Sequence, residues 1–574
     1  MEQTPVAKDG ARSRRSFLSY FSGIGLSSTL MPGLLWGSVQ EAEEQELTLE
    51  MTRTAAQVAG LDFSDEELEM IVDGVNQSFE RFEEIRLTSL DNSVMPALHF
   101  SPVAPGMEFE RVEGALRLGS RSLVTRPSDL EEVAFWSIMD LAQLIESRQV
   151  RPSELTEMYI GRLRRYNATL NCVVTLTESR ARALAEQADA EIAEGRYRGP
   201  LHGIPWGAKD IIAAQGYPTT WGAAPFEEQT FDFDATVVER LDDAGAILVA
   251  KLTTGELAFG DNWFGGRTNN PWNPEQGSSG SSAGSGAATA AGLVGFAIGT
   301  DTGGSILSPA VRCGVVGLRP TFGRVSRYGV MAAGYSLDKV GPMCRTAEGC
   351  AVVLHTVAGP DGKDMAVPSG VPFNWDVGMN LEALRIGYFE SAFNEEEPRQ
   401  STDDRMNAAA TLDTLRTMGF TLEPVEMPRN TFSGRDLTYF IEFVERAAGF
   451  DEFVRSRKDT GLRRQNHRGE LRVSQLVPAV EYLQANRIRM LLMEEVARAI
   501  EGIDVLVAPW RSINPLTSMT GHPVVAVPNG FTGEVTPTGI AFMGSIYRED
   551  KLLMLAKAYQ EATAFHERHP VLRA

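Results

Sequence analysis

From residue 135 onward the spacing of apolar positions switches between helical and strand periods, and each switch predicts an element. Ser137-x-x-Asp140, set just before Leu141, Leu144 and Ile145, has capping-box spacing and predicts a helix start. Leu155, Met158, Tyr159, Leu163 and Tyr166 recur at helical spacing and predict a second amphipathic helix. Short β-prone runs follow at 247–250, 385–389, 505–508 and 524–527, separated by helical stretches such as 402–417 and 485–500. Strands alternating with helices over this length predict an α/β fold, a mixed sheet covered on both faces. Ahead of this body, residues 46–105 read as two helices and an extended tail. The first helix covers 50–59, and Phe63-Ser64-Asp65-Glu66-Glu67-Leu68 opens the second with acidic residues where the helix dipole favours them. Leu68, Ile71, Val75 and Phe79 give it one apolar stripe. Such a hairpin is too small to stand alone and is expected to pack on the main body.

At 574 residues the chain has room for roughly two to four domains of about 150 residues each. Hydrophobic residues at 43% and charged residues at 23% are ordinary soluble usage, which excludes a disordered, collagenous or coiled-coil chain. The net charge of −22 repels a polyanion, so no nucleic acid partner is expected. Cys172, Cys313, Cys344 and Cys350 contain no C-x-x-C pair, and neither a disulfide scaffold nor a zinc site is indicated.

The N-terminus bears on location. Ser13-Arg14-Arg15-Ser16-Phe17-Leu18 places two arginines before a mild apolar stretch, with no charge between Arg15 and Glu41. The order of basic, apolar and acidic segments resembles a bacterial twin-arginine export signal, so a periplasmic or exported location is expected. No small-x-small cleavage site follows Trp36, which leaves an uncleaved membrane tether open. No other run of about 18 apolar residues occurs, so no further span is expected.

The richest chemistry lies at 277–305, a Gly/Ser run followed by an Ala-rich helix and by Gly299-Thr300-Asp301-Thr302-Gly303-Gly304-Ser305. By composition the first ten residues read as a flexible linker. A linker would not run straight into Ala287-Ala288-Thr289-Ala290-Ala291 and a second glycine turn preceded by Val294, Phe296 and Ile298. Glycines so placed let backbone N–H groups converge beside a serine, which is how an oxyanion hole is built. Gly280-Ser281-Ser282-Ala283-Gly284 also fits the G-x-S-x-G nucleophile elbow, with Ser282 central and His522 or His566 as a later base. That motif requires a strand before it, and Pro271 and Pro274 interrupt the preceding residues.

Leu201-His202-Gly203-Ile204-Pro205-Trp206-Gly207-Ala208-Lys209-Asp210, the Gly/Ser run, Gly299 to Ile306 and Cys313-Gly314-Val315-Val316-Gly317-Leu318-Arg319-Pro320-Thr321 together resemble the amidase signature family. The similarity runs from about residue 136 to 350 and resumes at Gly521-His522-Pro523 and the last helix. The resemblance implies an α/β/α sandwich around a mixed central sheet and a Ser, cis-Ser, Lys triad. Motif by motif, it places the base on Lys209, the bridging serine on Ser281 and the nucleophile on Ser305, with Ser282 as the alternative bridge one residue away. The N–H groups of Thr302, Gly303, Gly304 and Ser305 would hold the oxyanion. Neutral lysine is a competent base only if its pKa falls from about 10.4 to about 7 or 8, a destabilisation of the ammonium of roughly 3 to 5 kcal/mol. Asp301 is expected to bond loop backbone, and Asp210 reads equally as a site carboxylate or a loop-fixing one. Ser279 and Ala283 stand where the family commonly has Gly. Leu307 replaces the usual Arg after Ser-Ile, which argues against carboxylate-bearing substrates unless Arg312 points inward to take its place.

The chain is thus expected to comprise a signal (1–45), a helical accessory segment (46–105) and an amidase signature domain (106–574). Two functions fit. One is an exported amidase that hydrolyses a carboxylic amide through a Ser acyl-enzyme. The other is the glutaminase (A-type) subunit of a tRNA-dependent amidotransferase, favoured because residues 59–67 resemble that system's small helical accessory subunit; export and net charge argue against it. Expected partners are a small-molecule amide, the membrane if the signal stays attached, and a second copy of the chain in a homodimer; no cofactor or metal is expected. Substrate choice would lie between about 361 and 503, where Phe432, Tyr439, Phe440 and Phe443 read either as pocket lining or, more ordinarily, as core.

Overall fold

The computed structural model describes residues 47–573, apart from 87–89, 95–97, 106, 108–109, 113, 120–122, 395–399, 429–433 and 534. The twin-arginine segment and Phe432 lie outside the described residues. The chain divides into two compact units, Met1–Ser89 and Leu90–Ala574. Residues 90–105, expected as an extended tail that goes with the hairpin, fall instead in the second unit.

In the first unit, α1 (Leu49–Val58) and α2 (Asp65–Arg86) form the expected hairpin. Thr48 caps α1 by accepting from the Met51 N–H. Ser64 and Glu67 make a reciprocal box: the Ser64 N–H donates to Glu67 Oε2 at 2.8 Å and the Glu67 N–H to Ser64 Oγ at 3.3 Å. Leu68 is buried, while Ile71 and Val75 are half-buried.

The second unit opens with α3 (Ile138–Glu146) and α4 (Pro152–Leu170). Ser137 caps α3 as its spacing predicts, accepting from the Asp140 N–H at 3.1 Å. An 11-stranded mixed sheet follows. Its strands in chain order are β1 (Val173–Leu176), β2 (Pro205–Lys209), β3 (Ile247–Leu252), β4 (Phe296–Asp301), β5 (Val316–Arg319), β6 (Lys339–Cys344), β7 (Ile386–Phe389), β8 (Leu422–Val425), β9 (Val505–Pro509), β10 (Val524–Thr532) and β11 (Thr536–Gly544). Their spatial order is β1-β3-β2-β4-β6-β5-β10-β11-β9-β7-β8. β2 pairs parallel with both β3 and β4, which sets the end of the lysine strand beside the end of β4.

Alternation along the strands buries both faces. Val505, Val507, Val525, Val527, Ile540 and Phe542 join one apolar cluster with α3 residues Leu141, Leu144 and Ile145. Their neighbours Leu506, Ala508, Val524, Ala526, Ala541 and Met543 join another on the opposite face. Helices cover that second face: α5 (Ala283–Ala290), α6 (Leu307–Cys313), α8 (Gly434–Gly449), α9 (Ala479–Ala499) and α10 (Trp510–Thr520), while α7 (Thr402–Thr417) and α11 (Glu549–Thr563) contribute to the first. Helices on both faces of a mixed sheet are the expected α/β/α sandwich. The proline-interrupted residues 273–277 do form a strand, but it pairs only with Asn269–Asn270 in a separate two-stranded sheet. All four cysteines are buried and free.

Candidate active site

Lys209 is the last residue of β2, and Trp206 and Ala208 pack into the first apolar cluster, so alternation turns Lys209 to the other face of the sheet. It is fully buried. Its Nζ donates to Ser281 Oγ and to Thr300 Oγ1, each at 2.7 Å, and to no carboxylate among the described residues. Burial drives its pKa down to about 7, helped by Arg446 and opposed by Asp301 and Asp338. The fully buried Lys251 is the contrast: it pairs with Asp210 at 2.7 Å and also donates to Thr219. Asp210, held besides by the Thr220 N–H, is thereby the loop-fixing carboxylate.

The Gly/Ser run is ordered by close backbone approaches. A Cβ on Gly280 would lie 1.9 Å from the Gly260 carbonyl oxygen, so only glycine fits there. Ser279, one of the two departures from glycine, adopts φ of +63°, with its N–H on Asp261 Oδ2 at 3.1 Å and its hydroxyl 2.5 Å from Ser308 Oγ. The Gly280–Ser281 peptide bond is cis. Ser281, not Ser282, reaches the lysine. Ser282 Oγ instead donates to the Thr300 carbonyl at 3.0 Å and accepts from the Thr300 N–H at 3.1 Å. Of the two candidate bases for the elbow reading, His522 is buried against Thr520, and burial lowers its pKa to about 3.

Ser305 sits between β4 and α6. Its carbonyl accepts from the Ser282 N–H at 3.1 Å, which ties the two serine loops together. Its side chain makes no hydrogen bond among the described residues and is partly accessible. Asp301 shapes this loop as expected, accepting from the N–H groups of Gly304 (2.8 Å), Ile306 (2.7 Å) and Leu307 (3.3 Å). Burial disfavours its charge, but Arg319, Lys339 and these donors outweigh that and hold its pKa below the usual carboxylate range. One expectation needs correction here. The Gly304 N–H is already engaged by Asp301 and is not free for an oxyanion, whereas no hydrogen bond among the described residues engages the N–H of Gly303 or Ser305. Thr302 anchors the loop through its hydroxyl, which donates to Asp338 Oδ1 at 2.6 Å. Asn514 on α10 donates to the Gly303 carbonyl at 2.8 Å.

Two further expectations change. Leu307 is fully buried in the apolar cluster that holds Leu437, Ile441 and Ile513, so it does not face a substrate, and the specificity drawn from it falls away. Arg312 does not replace the missing arginine; it donates to Gln276 and to the Gly277 carbonyl. Of the aromatic residues on α8, Phe440 packs on the core, while Phe443 lines a small cleft with Leu257, Phe259, Arg446, His467 and Glu470. Sequence reasoning missed Thr300, the lysine's second acceptor, because the β2–β4 pairing that brings them together leaves no mark on either segment.

A family model for amidases matches residues 154–518, well over half of the chain. This chain belongs to the amidase signature family. It is 35% identical over 483 residues to the A subunit of the glutamyl-tRNA(Gln) amidotransferase of Methylococcus capsulatus, covering 76% of this chain and 98% of the relative. The corresponding protein of Thermosynechococcus vestitus is 33% identical over 485 residues, covering 76% and 99% of the two chains. Among solved structures, the peptide amidase of Stenotrophomonas maltophilia superposes with a TM-score of 0.68 at 29% identity, covering 77% of this chain and 99% of that one. A bacterial aryl acylamidase shares the fold with a TM-score of 0.68 at 21% identity, covering 76% and 98%. This amidase is a hydrolase acting on C–N amide bonds.

Proposed function

We propose that this amidase cleaves a carboxylic amide through an acyl-enzyme on Ser305, with Ser281 as proton bridge and Lys209 as base. The carrying observation is the buried Lys209 Nζ, 2.7 Å from Ser281 Oγ and free of any carboxylate partner among the described residues. A lysine desolvated to a pKa of about 7 is neutral in much of the population at neutral pH and can accept a proton. Ser305 Oγ attacks the carbonyl carbon while its proton passes to Ser281 Oγ, whose own proton passes to Lys209 Nζ. The N–H groups of Gly303 and Ser305, with that of Thr302, face the developing oxyanion. The relay runs back to protonate the leaving amine as the C–N bond breaks, and a water then releases the acid by the same route.

In this reading the enzyme is exported through the segment around Arg14 and Arg15 and acts alone. The coverage of nearly the whole S. maltophilia peptide amidase supports a self-sufficient hydrolase. A second reading makes the chain the glutaminase subunit of a tRNA-dependent amidotransferase; the names of its curated relatives favour it over the first. Ammonia release separates them. The purified chain, without partners, should hydrolyse aliphatic, aryl or peptide amides; release confined to glutamine, or dependent on added partner subunits, would establish the second reading instead.

A further inference from the structure

α8 brings a charged pair to the edge of the serine loops. Glu442 and Arg446, one helical turn apart, have side chains only 5% and 6% exposed, and Arg446 Nη2 donates to Glu442 Oε1 at 2.6 Å. Arg446 also donates to the Leu257 carbonyl. Glu442 Oε2, by contrast, accepts from no residue among those described. Beyond the adjoining residues of the chain it is the one atom among the described residues within 4 Å of where a Cβ on Gly303 would lie, at 3.5 Å. Gly303 carries one of the free N–H groups of the candidate oxyanion loop. A carboxylate oxygen held in place through its twin, without a donor among the described residues and beside Gly303, is available to a ligand group.

We propose that Glu442 is a specificity-determining residue whose Oε2 receives the protonated amine of the substrate, so that the site favours amides bearing an ammonium next to the scissile carbonyl, as amino-acid amides do. The proposal rests on the amidase reading above and narrows its substrate class. Geometry and charge agree. Oε2 lies beside the glycine whose N–H is proposed to hold the substrate carbonyl, where a group one or two bonds from that carbonyl would meet it, and a charge-assisted contact to a carboxylate is stronger than a neutral one. Arg446 neither competes for Oε2 nor reaches past Oε1. Burial raises the Glu442 pKa, Arg446 opposes this, and Asp338 and Asp301 add to the rise; a cation seated on Oε2 would relieve it. An incoming carboxylate would meet the same oxygen and be repelled.

The test compares phenylalaninamide with 3-phenylpropanamide, which differ only in the ammonium, at a pH below the amine's pKa. Wild type should favour phenylalaninamide in kcat/KM by tenfold or more. In Glu442→Gln the ratio should fall at least tenfold, mainly through KM of phenylalaninamide, and Glu442→Asp should restore part of it. The double variant Glu442→Gln, Arg446→Gln removes both charges, so that no lone cation remains buried; its ratio should fall alike. A ratio unchanged by either variant, a wild type that favours the neutral amide, or an equal loss on both amides would overturn the proposal. Absence of turnover of every amide, aryl amides included, would overturn the amidase reading instead.

Discussion

Two lysines with the same burial make opposite predictions at the residue scale. Lys251 is paired with Asp210, and replacing it by Met leaves a buried carboxylate uncompensated, at a cost of about 3 to 5 kcal/mol. Lys209 has only hydroxyl partners and a folded pKa of about 7 against about 10.4 unfolded. Between those values the unfolded chain binds more protons, so this group's contribution to stability rises with pH from about 7 upward and is least favourable below it. Lys209→Met should therefore raise the melting temperature at pH 7 while lowering kcat/KM by several orders of magnitude. A drop in both would make Lys209 a structural lysine. In wild type, kcat/KM should climb with pH through about 7 and then level, because only the neutral amine accepts a proton. A profile flat from pH 5.5 to 8.5 would remove Lys209 from the relay. Leu307→Arg, placed in an apolar cluster, should lower stability by several kcal/mol in urea unfolding rather than redirect specificity.

At the scale of elements, the loop between β4 and α6 is held from three sides. Asp301 takes two of its N–H groups and that of Leu307 at the start of α6, Asp338 takes the Thr302 hydroxyl, and Asn514 of α10 holds the Gly303 carbonyl. Asn514→Ala frees that carbonyl and with it the Gly303–Gly304 peptide plane, so the turn that carries the Gly303 and Ser305 N–H groups loses one of its three anchors. Turnover should fall about ten- to a hundredfold in kcat with little change in KM; a change in KM alone would place Asn514 in substrate binding. Part of this architecture is readable in the sequence. The β-prone runs at 247, 386, 505 and 524 form strands because their side chains alternate between two apolar layers, and the helix at 402–417 is readable from its periodicity. β2 and β5, with Gly207 and Gly317 among their residues, are short and fully buried, so neither alternates polar with apolar. Lys209, Ser281 and Ser305 are legible as motif positions. The occupation of the Gly304 N–H, the burial of Leu307 and the Glu442–Arg446 pair are not, since each depends on contacts that the local sequence pattern does not record.

At the scale of the whole molecule, Lys209, Ser281 and Ser305 all lie in the unit Leu90–Ala574, and so does every strand of the sheet. A chain beginning at Leu90 should fold and retain amide turnover; loss of cooperative unfolding in that chain would show that the hairpin completes the core. Replacing Arg14 and Arg15 by Lys should abolish export in a bacterium with a twin-arginine system, and an unchanged periplasmic fraction would refute that targeting. The central claim is that Ser305 is the nucleophile activated through Ser281 and Lys209. Labelling the full chain with a serine-directed fluorophosphonate and mapping the adduct by peptide mass spectrometry tests it most directly. One adduct per chain on Ser305, absent in Ser305→Ala and strongly slowed in Lys209→Ala, is the result predicted; an adduct on Ser282, or labelling that persists without Ser305, would contradict it.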